Sequence, residues 1–92
     1  MLTIKFTSKM KKDIKLMERQ GRNMGKLADT LDLLASCQVM PEKYQDHQLK
    51  GNLKDFRECH IEPDWLLIYQ IFDDELVLSA VRTGSHSKLL KK

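Results

Sequence analysis

The chain has 92 residues, 41% of them hydrophobic and 32% charged, with a formal net charge of +3. That length suits one domain whose core removes roughly 60–65% of the unfolded surface from water. The balance is too apolar for intrinsic disorder. No apolar run approaches the ~20 residues that span a bilayer, and the first residues lack the apolar stretch of a signal peptide. The expectation is a cytoplasmic protein with no membrane contact. Cys37 and Cys59 form no CxxC pair and are too few for a disulfide-stapled scaffold, so both are expected to be reduced and buried.

The charge is unevenly placed. Residues 1–26 carry eight Lys/Arg against Asp13 and Glu18, whereas the remainder carries eight against eleven acids. A basic block on a small domain suits a polyanionic partner, and it also suits a plain solvated helix face.

Leu2, Ile4 and Phe6 alternate with polar residues, which predicts a first strand. Ser8 is placed to cap a helix in which Met10, Ile14 and Met17 form one apolar stripe and Gly21 ends the run. A second helix is predicted over 24–37, with Leu27, Leu31, Leu34 and Ala35 on one face. Pro41 breaks that pattern, and 41–53 reads as a polar connection. A strand follows near 54–61, then a turn at Glu62-Pro63-Asp64. Residues 65–72 are apolar on both faces, as in a central strand. Asp73-Asp74 connects to a last strand over 75–82, and Thr83-Gly84-Ser85 leads into a short tail. The order β-α-α-β-β-β predicts an α+β fold with two N-terminal helices packed on one face of an antiparallel sheet. A functional site would lie on the other face or at its edge.

All three histidines fall in the C-terminal half, at His47, His60 and His86. Imidazole takes and gives protons near neutral pH, so histidines suit general acid–base work. Strand alternation puts Glu58 and His60 on one face, and Arg82, Gly84 and His86 share parity. Metal-free RNA cleavage needs a base for the 2′-hydroxyl, an acid for the leaving 5′-oxygen and a cation at the phosphate. Two histidines and Arg82 supply that set, with a carboxylate to orient an imidazole. Zinc binding by the three histidines lacks any i, i+3 or i, i+4 spacing or HExxH signature. A Cys59–His60 pair would point to opposite faces of its strand. No glycine-rich phosphate loop is present, and no cofactor is expected.

Three segments, Asp46-His47-Gln48-Leu49-Lys50-Gly51, Arg57 through Tyr69, and Arg82 through Leu89, resemble the YafQ-type toxins of the RelE/ParE superfamily. The middle one, R-x-x-H-x-x-P-D-W-x-L-I-Y, is the most specific. Before residue 46 the likeness is limited to element order and basic character. The resemblance implies an mRNA endonuclease acting on messages in the ribosomal A site and neutralised by a cognate antitoxin. It implies catalytic roles for His86, His60, His47 and Asp64, the last orienting a histidine. It also implies substrate contact by Arg82 at the phosphate and by Glu58 nearby. Trp65 is either a substrate-stacking residue or part of the core. One departure is Leu90, where the family carries an aromatic able to stack on a base. Two other readings remain: a ParE-like toxin that binds DNA gyrase without cleaving RNA, and an RNA- or protein-binding domain using the basic helix.

Overall fold

The computed structural model describes residues 1–90. Strand β1 (Thr3–Phe6) leads into helices α1 (Ser8–Arg19) and α2 (Met24–Ala35). Four strands follow: β2 (His47–Gln48), β3 (Arg57–Glu62), β4 (Trp65–Phe72) and β5 (Val77–Gly84). A short helix, α3 (His86–Leu90), closes the described chain. The α+β class and the β-α-α start followed by a run of strands are as the sequence predicts, with β2 and α3 added to the predicted elements. The sheet runs β1-β5-β4-β3-β2.

Several details depart from the sequence reading. The meander β2 to β5 is antiparallel, but β1 pairs parallel with β5, so the sheet is mixed. From β1 the chain passes through α1 and α2 to β2 at the opposite edge and reaches β5 only after the whole meander, a connection long enough for parallel neighbours. The segment 41–53 is not a featureless connection: two 3₁₀ turns flank β2 within it. The N-cap of α1 is Thr7, not Ser8; its hydroxyl accepts from the Met10 N–H at 3.0 Å and donates to the Val81 carbonyl at 2.7 Å. The last strand runs two residues further than predicted, to Gly84, because its final residues remain paired with β4.

Helix α1 ends as expected. Gly21 at φ +75° lets its own N–H reach the Glu18 carbonyl and the Arg22 N–H reach Met17, a closure that favours glycine. Helix α2 ends at Ala35 with Cys37 in the same left-handed region (φ 58°). Cys37 is thereby turned outward and is exposed, against the expectation of a buried thiol, while Cys59 is buried as expected. Both are free.

The core lies between the helices and one face of the sheet. Met10, Met17, Leu27, Leu31 and Leu34 meet Cys59, Trp65, Leu67, Tyr69, Leu78 and Ala80 there. Leu66 and Ile68 alternate onto the opposite face and are also buried. The face expected to be open is therefore partly roofed. Helix α3 folds back over it, for a Cβ on Gly84 would sit 3.4 Å from the Leu89 side chain.

Two bulges decide which side chains reach that second face. In the β4–β5 pairing, Tyr69 opposes Ala80 but Ile68 opposes Arg82, so Val81 is an extra residue. Leu78 and Ala80 face the core, and strict alternation would send Arg82 there too. The bulge shifts the phase by one residue, giving Thr83 to the core and Arg82 to the far face. In the β3–β4 pairing, His60 opposes Leu66 while Glu62 opposes Trp65, so Ile61 is the extra residue. Glu62 is carried to the helix side, where Lys26 Nζ lies 2.8 Å and Arg22 Nη1 3.7 Å from its carboxylate.

Candidate active site

Direct cross-strand partners project from the same face of a sheet. His47 opposes Glu58, Glu58 opposes Ile68, and Ile68 opposes Arg82. These four form one transverse row on the face away from α1 and α2. His60, Leu66 and Gly84 form the next row. His86 follows two residues after Gly84, at the start of α3.

Glu58 is the hub of the arrangement. Its side chain is 3% exposed, and its Oε1 lies 3.4 Å from His60 Nε2 and 3.6 Å from His47 Nε2. Its Oε2 is buried with no hydrogen-bond partner among the described residues. A buried carboxylate is costly unless paired, and two imidazoles on one oxygen are the pairing available here. His47 Nδ1 lies 2.7 Å from the Gln45 carbonyl. A carbonyl only accepts, so Nδ1 carries a proton, and Nε2 pairs with the Glu58 carboxylate only when it carries one as well. That nitrogen is free to take a proton, and a protonated His47 would be held by Glu58. A cleft of about 340 Å³ gathers His47, Glu58 and His86 with Leu49, Lys50 and Leu53 around it.

Each remaining sequence candidate has a definite place. Asp64 Oδ1 accepts from the His86 backbone N–H at 3.4 Å, so its link to a histidine runs through the main chain and holds the start of α3. Trp65 is fully buried, and its indole N–H donates to Thr83 Oγ1 at 2.8 Å. Neither ring face is open to a base: Trp65 belongs to the core, which corrects its candidacy for substrate stacking. Leu90 closes α3, but its side chain lies outside what the structure describes.

Arg82 reaches the far face but is not free. Its Nε lies 2.7 Å from Asp13 Oδ2 and its Nη2 3.2 Å from Oδ1. Hydrogen bonding to Asp13 raises the guanidinium's affinity for its proton, with burial working against it. Asp13 also accepts the Thr83 N–H at 3.1 Å. Among the described residues no strand covers the β5 edge beyond Phe6, and α1 takes that place with Asp13 satisfying an edge donor. Sequence reasoning missed this residue, although a signal existed. Met10, Asp13, Ile14 and Met17 follow one helical stripe, and an acid inside an apolar stripe implies a buried cation partner.

A second missed cluster lies on the helix side of β2 and β3. Tyr69 Oη donates a short hydrogen bond to Asp46 Oδ1, and Arg57 Nη2 meets Asp46 Oδ2 at 3.2 Å. Burial, then the Asp46 bond, raises the Tyr69 phenol well above its usual range. Burial likewise pushes the Cys59 thiol up to about 12, so it is no nucleophile at neutral pH. No three His, Cys, Asp or Glu side chains among the described residues are grouped so as to hold a metal ion.

Known proteins share this chain's sequence and fold. Residues 2–91 match the family model described as the bacterial toxin of type II toxin–antitoxin systems, YafQ. The mRNA interferase toxin YafQ of Escherichia coli K12 is 38% identical over 87 residues, covering 94% of this chain and 92% of the relative. The crystal structure of a metal-bound toxin from Helicobacter pylori is 49% identical, with a TM-score of 0.92 over 97% of this chain and 99% of that one. The toxin in the E. coli DinJ–YafQ toxin–antitoxin complex is 37% identical, with a TM-score of 0.86 over 96% of both chains. With nearly its whole length matched in sequence and in fold, the chain belongs to the YafQ family of type II toxin–antitoxin toxins.

Proposed function

We propose that this protein is an endoribonuclease that cuts mRNA in the ribosomal A site, in the cytoplasm, and so stops translation. The observation that carries the reading is that His47 and His60 approach one oxygen of the buried Glu58, and that His86 lines the same cleft as His47 and Glu58. The E. coli relative is an mRNA interferase by name, which agrees with it.

The reaction is an internal phosphoryl transfer. One histidine, His86 in our assignment, takes the proton from a ribose 2′-hydroxyl or gives one to the leaving oxygen. His47 and His60 complete the proton traffic or contact the phosphate. The 2′-oxygen attacks the neighbouring phosphorus, the bond to the 5′-oxygen breaks, and that oxygen is protonated as it leaves. The products are a 2′,3′-cyclic phosphate and a 5′-hydroxyl. Glu58 stabilises whichever of His47 and His60 carries the proton. Asp64 fixes the His86 backbone, and Arg82, braced by Asp13, supplies positive charge at the edge of the site.

The exposed Lys9, Lys11, Lys12, Lys15 and Arg19 of α1 give that helix a positive outer surface suited to ribosomal RNA. The E. coli YafQ forms a complex with DinJ, and a cognate antitoxin is proposed to neutralise this chain in the same manner. No helix among the described residues is long and apolar enough to cross a membrane.

The test uses a ribosome-bound message with a single 2′-deoxy substitution at the cut position. The all-ribose message should yield a 2′,3′-cyclic phosphate end, and the substituted one should stay whole at that bond. Equal cutting of both would refute attack by the 2′-oxygen.

A further inference from the structure

His47 sits on the shortest strand of the sheet, two residues at its edge. The turn into that strand needs Gln45 in the left-handed region, at φ 48°. Within the strand Gln48 Nε2 donates to the Lys54 carbonyl at 2.6 Å, and just beyond it the Leu49 N–H donates to the Phe56 carbonyl at 3.0 Å. The side chain is half exposed, with only a 2.7 Å bond back to Gln45 and a 3.6 Å approach to Glu58. Such an element has little packing of its own to hold an imidazole steady.

The residue before it is held firmly. Asp46 receives the Tyr69 hydroxyl on one oxygen and Arg57 Nη2 on the other. Tyr69 is 1% exposed and comes from the middle of the central strand, so its ring is fixed by the core. Arg57 opposes both Gln48 and Tyr69, which puts the three side chains on the helix side. Alternation then turns His47 to the opposite face, toward Glu58.

We infer that Tyr69 and Asp46 are positioning residues for His47, a tether from the core that fixes where the catalytic imidazole stands. The inference rests on the nuclease reading of His47. The hydroxyl of Tyr69 touches nothing on the catalytic face, so its influence on cleavage runs through Asp46 and the backbone of β2. Loss of the tether leaves the proton-transfer groups present but His47 displaced, and a displacement of about 1 Å can cost up to ~100-fold in rate.

The test is a double-mutant cycle on ribosome-bound mRNA under single-turnover conditions, with folding checked by circular dichroism. Tyr69→Phe should lower the maximal cleavage rate about 10- to 100-fold while the concentration for half-maximal rate changes less than about 3-fold. In a His47→Ala background the same change should alter the rate less than about 2-fold, because the group it positions is gone. The His47 ring resonances should shift or broaden in Tyr69→Phe while those of His86 stay in place. Asp46→Ala should reproduce the loss, and combining it with Tyr69→Phe should add little. An equal fall in both backgrounds, or wild-type cleavage by Tyr69→Phe, overturns the inference and leaves the nuclease reading standing. Wild-type cleavage by His47→Ala overturns the reading of His47 and the inference with it.

Discussion

Replacing Asp13 by alanine separates what holds α1 to the sheet from what cleaves. The carboxylate is 5% exposed and makes three bonds, two to Arg82 and one to the Thr83 N–H. Removing it leaves a fully buried residue's N–H without a partner, costing about 1–3 kcal/mol. It also strands a cation, and breaking a buried pair costs about 3–5 kcal/mol when both members are fully desolvated. The Arg82 side chain keeps 29% of its exposure, so water partly rehydrates it and the second cost is much reduced. A net loss of about 2–4 kcal/mol follows. For a domain of this length that lowers Tm by roughly 10–20 °C. Thermal and urea unfolding of wild type, Asp13→Ala, Arg82→Ala and the double variant measure it. The cycle should give a coupling of about 1–3 kcal/mol. If the single losses simply add, within about 0.5 kcal/mol, the ion pair does not hold the helix and the account of Asp13 is wrong.

Thr7→Ala removes both the cap of α1 and the bond to the Val81 carbonyl, and should cost about 1–2 kcal/mol in urea unfolding, against no more than a few tenths for Ser8→Ala. The raised Cys59 and Tyr69 groups stay protonated in the folded protein at a pH where the unfolded chain ionises. Their stabilisation is therefore complete below about pH 9 and is lost as pH rises toward about 12. Cys59→Ala should flatten that alkaline fall in Tm, and an unchanged slope would refute the assignment. A thiol reagent at neutral pH should label Cys37 in the native protein and reach Cys59 only on unfolding, as peptide mass mapping would show.

The sequence carried the elements better than their pairing. Residues 65–72 read as a central strand because both faces are apolar, and both faces are covered over Trp65–Tyr69, with Phe72 at the end exposed. The stripes of Met10, Met17, Leu27, Leu31 and Leu34 named the core side of the helices. The alternation of Leu2, Ile4 and Phe6 says nothing of strand direction, so the parallel pairing of β1 was not legible. A strand of two residues has no period at all, which hid β2. The face of Arg82 followed from its parity with Gly84 and His86, yet parity with Leu78 and Ala80 argues the reverse. Only the bulge at Val81 reconciles them. Asp13 and Tyr69 escaped notice because each acts through a partner distant in sequence, 69 and 23 residues away. Trp65 lies among site residues in the sequence, but its place in the strand turns it into the core.

The central claim is that histidines on the far face of the sheet cut translated mRNA. Its most direct test is induced expression of wild type and His86→Ala, with mRNA ends mapped by primer extension and folding of the purified variant checked. The account predicts growth arrest and new cuts within translated regions for the wild type alone, with at least about 100-fold less cutting by the folded variant. Equal arrest by both proteins with no mRNA cut would contradict it, and would turn attention to a toxin that acts by binding.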